Sequence, residues 1–193
     1  MSALRFAPAA AVALLSSFLA ASPGAALTIR IMAANLSSGT EQAYQSAGIR
    51  IFQGLKPDVV LIQEFKYGSG SLRDLVDTAF GTEYYYCVEG GLDNIPNGVV
   101  SRWPFTSFGE WTSPVSGRDF AWAVIDLPGE TDLQAVSVHL PTSSAGDRNT
   151  EAGILKTEVA ANFDPAAYIV IGGDLNTGST GESCIGTFNT FLD

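Results

Sequence analysis

The sequence predicts an α/β fold in which β-sheets pack on each other and helices cover them outside. Predicted strands outnumber predicted helices, and they occur both in βα units and as hairpins, which is typical of such layered folds. No internal repeat, low-complexity segment or linker interrupts the pattern. Without its first 26 residues the chain has about 167, enough for one domain with a substantial hydrophobic core, predicted over residues 27–193.

The first 26 residues have the pattern of a secretory signal peptide. Arg5 is the only charge there, an apolar run follows from Ala9 to Ala21, and small residues lead to Ala26. The run is short and rich in alanine, which argues against an uncleaved membrane anchor. We therefore expect a secreted or periplasmic protein, cleaved near Ala26.

Charge and cysteine content limit the classes of function. A formal net charge of −10 argues against a basic surface that clamps nucleic acid without regard to sequence. It does not exclude a nuclease in which a bound cation offsets the charge locally. Export permits a disulfide between Cys87 and Cys184, and two free thiols are nearly as well supported by the sequence.

The first half of the chain alternates strand and helix patterns. Apolar and polar residues alternate in the first strand, and apolar residues recur at helical spacing before Pro57 ends the first helix. Ser71 and Gly81 bound the second helix. The predicted elements are a strand at Leu27–Met32, a helix spanning 44–55, a buried strand at Val59–Ile62 and a helix spanning 71–79.

The second half predicts more strands. Pro128-Gly129 separates two apolar segments and predicts an antiparallel hairpin. The predicted elements are strands at 84–88, 97–101, 120–126 and 132–140, a helix spanning 149–161 and a strand at 168–171.

Polar side chains follow several of these strands. Asp174 and Asn176 come after Tyr168–Ile171 and two glycines, and in an extended segment residues two apart point to the same side. Glu64 after its buried strand is a suitable oxygen ligand for magnesium or calcium, and Asn35 ends the first strand. An Asx turn at Asp174 and ordinary solvated strand ends at Glu64 and Asn35 are the simpler interpretations.

Two further residues could take part in proton transfer or anion binding. His139 is the single histidine, and an ordinary pKa near 6.5 would let it exchange a proton near neutrality. A histidine packed in the core is the alternative. Arg118 could neutralise a phosphate oxygen, although alone it is an ordinary surface arginine. A serine nucleophile is not supported, since no Gly-x-Ser-x-Gly motif is present.

The order of these segments resembles the endonuclease/exonuclease/phosphatase superfamily, which has the deoxyribonuclease I-like fold. The matching segments are Ile31-Met-Ala-Ala-Asn35, Pro57-Asp-Val-Val-Leu-Ile-Gln-Glu64, Asn97-Gly-Val-Val-Ser-Arg-Trp-Pro104, Val136-Ser-Val-His-Leu140, Arg148-Asn-Thr-Glu-Ala152 and Gly173-Asp-Leu-Asn176. The resemblance implies a four-layer sandwich of two packed mixed β-sheets with outer helices. It also implies hydrolysis of phosphate esters with a divalent cation, usually Mg²⁺, with Mn²⁺ or Ca²⁺ as alternatives.

The resemblance further implies roles for the candidate residues. Glu64 corresponds to the principal metal ligand, with Asn35 beside it. Asp174 resembles the carboxylate that orients the attacking water, and Asn176 the donor to a phosphate oxygen. The remaining roles are contact with the scissile phosphate for His139 and a further phosphate contact for Arg118.

The resemblance is incomplete near the end of the sequence. Family members carry a further strand with an Asp-His pair and a preceding second carboxylate, whereas this sequence ends at Asp193 without a second histidine. We therefore expect a fragment lacking its final strand or strands, with weak turnover; a naturally short relative is the alternative.

The leading functional hypothesis is a secreted nuclease or other phosphodiesterase that acts as a monomer, with no protein partner implied. A sphingomyelinase- or inositol-phosphatase-like activity is the alternative within enzymes. Aromatic residues from Trp103 to Trp111 could form a lipid-binding loop, but core packing is the simpler interpretation. A non-catalytic remnant or binding domain is the alternative from another class, supported by the missing Asp-His pair.

Overall fold

The computed structural model describes residues 27–37, 46–68, 70–90 and 95–192. The predicted signal peptide at 1–26 and the start of the first predicted helix, at Tyr44, lie outside these residues. Within the described part of the chain, no helix is both long and apolar enough to cross a membrane.

Eight strands and four helices form among the described residues. The strands are β1 (Ile31–Asn35), β2 (Val59–Gln63), β3 (Tyr85–Val88), β4 (Gly98–Ser101), β5 (Phe105–Trp111), β6 (Phe120–Ile125), β7 (Leu133–His139) and β8 (Tyr168–Asp174). The helices are α1 (Ser46–Leu55), α2 (Leu72–Ala79), α3 (Ala145–Asn162) and α4 (Ser183–Phe188).

The strands form two mixed sheets of four strands each, in the orders β1-β2-β4-β3 and β5-β6-β7-β8. The pairs β1–β2 and β7–β8 are parallel, and the other neighbours are antiparallel. The predicted hairpin of β6 and β7 is confirmed.

A hydrophobic core lies between each pair of adjacent layers, three cores in all among the described residues. The inter-sheet core lies between the two sheets and includes Leu61, Val99 and Ala135. One outer core joins α1 and α2 to the first sheet, with Phe52 and Val76 among its members. The other outer core joins α3 and α4 to the second sheet. The predicted four-layer α/β sandwich is therefore confirmed.

The first strand starts later than the predicted Leu27–Met32. Its ladder with β2 runs from the pair Ile31 and Val59 to the pair Asn35 and Gln63. Just before it, the carbonyl of Arg30 accepts hydrogen bonds from the backbone N–H groups of Asp58 and Val59, at 2.8 and 3.1 Å. Asp58 itself lies outside β2, so the ladder begins at Ile31.

Two elements are longer than their sequence patterns. Helix α3 begins at Ala145 because the Ser144 hydroxyl accepts a 3.0 Å hydrogen bond from the backbone N–H of Asp147 and caps an earlier turn. Strand β8 continues through its two glycines because β7 still offers a partner, up to the pair His139 and Asp174.

The short helix α4 was not predicted from the sequence. It has six residues, one of them glycine, and offers little periodicity. Its Cys184 and Phe188 complete the outer core beneath α3. Cys87 lies instead in the inter-sheet core, and both cysteines are free and buried, so the disulfide that the sequence permitted is not formed.

Candidate active site

The candidate residues lie where four strands end side by side. In each parallel pair the strands finish together, with Asn35 beside Gln63 and His139 beside Asp174. Gln63 Nε2 donates a 2.8 Å hydrogen bond to Ser137 Oγ on β7, which links the two pairs across the sheets. The strand ends of both sheets therefore present their polar side chains to one place.

Two glycines let the strands come this close. A Cβ on Gly172 would lie 2.9 Å from Leu61 Cδ1 on the facing sheet. A Cβ on Gly173, whose φ is 153°, would lie 1.9 Å from the carbonyl oxygen of Val138. Gly173 therefore excludes a side chain because the nearest atom is backbone, whereas a side chain at Gly172 would require Leu61 to move.

The Asn35 side chain joins the two candidate carboxylates. Its Nδ2 donates to Glu64 Oε1 at 3.3 Å and to Asp174 Oδ2 at 3.0 Å. Its Oδ1 accepts a 2.7 Å hydrogen bond from the backbone N–H of Ser37, which fixes the orientation of the carboxamide. The amide hydrogens thus lie between two acidic groups and reduce their mutual repulsion.

Glu64 and Asn176 have left-handed backbone conformations, with φ of 55° and 48°. Such values are uncommon outside glycine, especially for glutamate, and they often mark functional positions. The extended geometry predicted for 174–176 is wrong at Asn176. Its backbone N–H instead donates to Asp174 Oδ1 at 2.9 Å in an Asx turn, the simpler alternative from the sequence.

His139 is buried and lies beside Asp174, with Nε2 at 3.6 Å from Asp174 Oδ2. Its Nδ1 is buried and has no hydrogen-bond partner among the described residues. Burial lowers the pKa of His139, and the positive charge of Arg118 lowers it further. Asp174 and Glu64 oppose this shift with their negative charges. The balance favours a neutral imidazole.

The carbonyl of Leu140 accepts hydrogen bonds from two of the candidate residues. Arg118 Nη1 donates to it at 3.1 Å and Asn176 Nδ2 at 2.9 Å. The backbone N–H of Leu140 donates to the carbonyl of Asp174, so this residue is fixed on both sides. A cationic and a neutral donor are therefore held together next to the carboxylates.

These oxygen donors are compatible with a hard divalent cation. Mg²⁺ in enzymes is commonly held by one or two carboxylates, with water and substrate phosphate completing its shell. Glu64 and Asp174 supply carboxylates joined through one amide, which matches that requirement. Asn35 now turns its nitrogen toward them, so ligation through its oxygen would need the amide to rotate. No cluster of three or more His, Cys, Asp or Glu suited to a metal occurs in the described part of the chain.

The structure adds residues that had no assigned role in the sequence analysis. Gln63 and Ser137 connect the sheets directly beneath the site, and both are buried polar residues in otherwise apolar strands. Glu151, within the Arg148–Ala152 segment, is fully buried and bonds to Ser113 and Ser116. The sequence signal that could have identified these residues is a polar side chain on the otherwise apolar face of a predicted strand or helix.

Comparisons with known proteins agree with this architecture. The model of the endonuclease/exonuclease/phosphatase family matches residues 32–190. The comparison with curated proteins finds no match. Members of the matched family hydrolyse phosphoester bonds and generally use divalent metal ions.

Three solved structures illustrate the likeness in fold. Truncated TDP2 of Caenorhabditis elegans superposes with a TM-score of 0.63 at 16% identity, over 77% of this chain and 62% of that one. D. rerio TDP2 complexed with single strand DNA product gives a TM-score of 0.61 at 16% identity, over 81% and 63%. An endonuclease/exonuclease/phosphatase from Beutenbergia cavernae gives 0.53 at 22% identity, over 77% and 47%.

This chain therefore spans roughly half to two thirds of the length of these structures. The family match extends over most of the chain and includes every candidate residue from Asn35 to Asn176. Together with the two-sheet sandwich and its convergent strand ends, it shows that the protein belongs to the endonuclease/exonuclease/phosphatase family.

Proposed function

We propose that this protein is a secreted, metal-dependent phosphodiesterase that acts on nucleic acid. The observation that carries the proposal is the single carboxamide of Asn35 bonded to both Glu64 and Asp174. These residues lie far apart in sequence, and a purely structural role gives no reason to gather two carboxylates around one amide. A phosphoester site needs such a group of oxygens to hold a cation and a water molecule.

Glu64 and Asp174 have separate roles in this proposal. Glu64 holds the divalent cation, and Asn35 fixes the carboxylate orientation. The cation, when bound, supplies charge that stabilises the phosphoryl oxygens. Asp174 orients the attacking water, and its position beside Asn35 and His139 limits its rotation.

The remaining candidates face the phosphate. Arg118 and Asn176, held together at the Leu140 carbonyl, are the proposed donors to non-bridging oxygens. His139, neutral and buried, contacts the scissile phosphate through Nε2 and can exchange a proton with the leaving oxygen.

Nucleic acid is the favoured substrate class. The D. rerio relative by fold was crystallised with a single strand DNA product, and the likeness to it extends over 81% of this chain. A single strand needs few protein cations when a metal ion offsets its charge, which is compatible with the net charge of −10.

The aromatic residues give little support to a lipid substrate. Trp111 is buried and its ring stacks on Trp122 at 5.6 Å. Phe105 and Phe108 pair with Ile125 and Ala123, and the β6–β7 register places them toward the start of β7, away from His139. They do not form a loop at the candidate site.

The proposal is tested by hydrolysis assays with single-stranded DNA, RNA, sphingomyelin and inositol phosphates, with enzyme in excess to detect slow turnover. We expect cleavage of nucleic acid with MgCl₂ and none in excess chelator. E64A and D174N should abolish it, while E130A, an exposed carboxylate in the β6–β7 turn, should leave it unchanged. Equal rates in chelator, or full activity of E64A and D174N, would refute the proposal. Cleavage of sphingomyelin alone would favour the lipid alternative. If no substrate were cleaved, the result would favour the non-catalytic alternative.

A further inference from the structure

A buried carboxylate lies behind the candidate site, on the inner face of α3. Glu151 is fully buried, and its Oε1 accepts 2.5 Å hydrogen bonds from the hydroxyls of both Ser113 and Ser116. Its Oε2 is buried without a hydrogen-bond partner among the described residues. Burying a carboxylate is costly, so its presence here calls for a physical reason.

The two serines belong to the β5–β6 loop, residues 112–119, which closes on itself. The backbone N–H of Ser113 donates to Asp119 Oδ1 at 2.8 Å, and that of Gly117 donates to the carbonyl of Ser113 at 3.2 Å. The buried Asn97, directly before β4 of the other sheet, adds an anchor, since its Nδ2 donates to the carbonyl of Asp119 at 2.7 Å.

This loop carries Arg118, and a continuous set of hydrogen bonds joins Glu151 to it. Ser116 Oγ donates to the carboxylate and also accepts a 3.2 Å hydrogen bond from the backbone N–H of Arg118. At the other end, the guanidinium rests on the Leu140 carbonyl and its charge acts on His139. The buried carboxylate thus fixes the backbone from which the arginine reaches the site.

We propose that Glu151 is a positioning residue, which holds the β5–β6 loop so that Arg118 meets a phosphate oxygen at the site. This deepens the proposed function and rests on it for the location of the phosphate. The alternative is a network that stabilises the fold alone. These two roles predict different results. If Glu151 positions Arg118, a change at Glu151 affects phosphate binding only while Arg118 is present.

The experiment is a double-mutant cycle read out by the dissociation constant for inorganic phosphate, measured by calorimetry with MgCl₂. R118A should weaken binding about tenfold, the scale of a lost charge-assisted hydrogen bond. E151Q and S116A should each weaken it by about threefold to tenfold through a displaced arginine. In the R118A background, E151Q and S116A should have no further effect. The control S101A removes a buried serine hydroxyl from the end of β4, in the sheet that does not carry the loop, and should not alter binding.

The inference is overturned if E151Q and S116A weaken phosphate binding equally with and without Arg118, or if R118A binds phosphate as the unmodified chain does. Should E151Q not fold, S116A carries the same test, since Ser116 is only half-buried. The readout needs no turnover, so an absence of hydrolysis would count against the proposed function and leave this result to be judged separately.

Discussion

His139 and Asp174 are register partners on the parallel strands β7 and β8, and His139 Nε2 lies 3.6 Å from Asp174 Oδ2. The distance is too long for a good hydrogen bond but short enough for a strong electrostatic effect. Asp174 therefore favours protonation of His139, while burial and Arg118 oppose it. The protonation state of the imidazole depends on both neighbours.

The first prediction concerns the pKa of His139. R118A removes a repulsive charge and should raise it, whereas D174N removes an attractive charge and should lower it. As the single histidine in the sequence, it can be titrated by NMR without assignment ambiguity. R102A changes an exposed arginine just past the end of β4 and should have no effect. Equal pKa values in R118A and D174N would contradict the geometry.

A second prediction follows for stability against pH. Because the pKa of His139 is lower in the folded chain than its usual 6.5, the folded state disfavours the charged form. This contribution to stability is fully present above the pKa that the histidine has in the unfolded chain. It is lost as pH falls through the pKa of His139 in the folded chain. The free energy of unfolding in urea should therefore decrease from about pH 7.5 to about pH 5 more steeply in the unmodified chain than in H139Q. Parallel decreases in both would show that carboxylates alone govern the acid response.

Gly173 provides a third prediction. A Cβ there would lie 1.9 Å from backbone, so G173A should destabilise the fold by roughly 3 kcal/mol or more and displace Asp174. G153A in α3 is the matched control, since nothing lies within 4 Å of its Cβ. That change should stabilise the helix by about 0.5–1 kcal/mol. Thermal unfolding of the two variants measures the difference, and similar melting temperatures would disprove the close approach.

A fourth prediction concerns Asn35. N35A removes the amide between Glu64 and Asp174. It should lower the free energy of unfolding by about 1–3 kcal/mol, because two hydrogen bonds are lost and the carboxylates repel each other without the amide between them. Added MgCl₂ should restore part of that stability in N35A, because a cation held by Glu64 would offset the negative charge that the amide no longer screens. N162A removes an exposed amide that bonds to Glu158 on α3 and should show no such magnesium-dependent recovery. Thermal unfolding with and without MgCl₂ decides the matter.

The fifth prediction concerns the cysteines. Burial raises the pKa of Cys87 to about 12, so this thiol stays protonated and unreactive near neutrality. Burial also raises the pKa of Cys184. A thiol reagent should label neither cysteine in the folded chain and both in denaturant, without prior reduction. Absence of labelling in denaturant until a reductant is added would reveal a disulfide instead.

Much of the fold was predictable because it follows from local patterns. The fully apolar Val59–Ile62 and the paired segments around Pro128-Gly129 specify buried strands and a hairpin without tertiary information. The end of β8 was not predictable in this way, because Gly172 and Gly173 have poor strand propensity and only pairing with β7 keeps them extended. Helix α4 depends similarly on contacts made after folding.

The candidate site shows the same division. Strand-end position and residue chemistry identified Glu64, His139 and Asp174 as candidates, and the structure brings them together. The side-chain partner of Asn176 could not be predicted, since it is the distant Leu140 carbonyl. The support of Arg118 by Glu151 could not be predicted either, because it joins a loop to a helix more than 30 residues away.

The shared carbonyl of Leu140 has a consequence for how an anion would be received. A guanidinium has five N–H groups and a carboxamide has two, while this one oxygen engages a single nitrogen from each. Arg118 and Asn176 can therefore keep their present anchorage and still offer hydrogens to an incoming oxyanion. Such an arrangement spares the entropy of immobilising two side chains at the moment of capture.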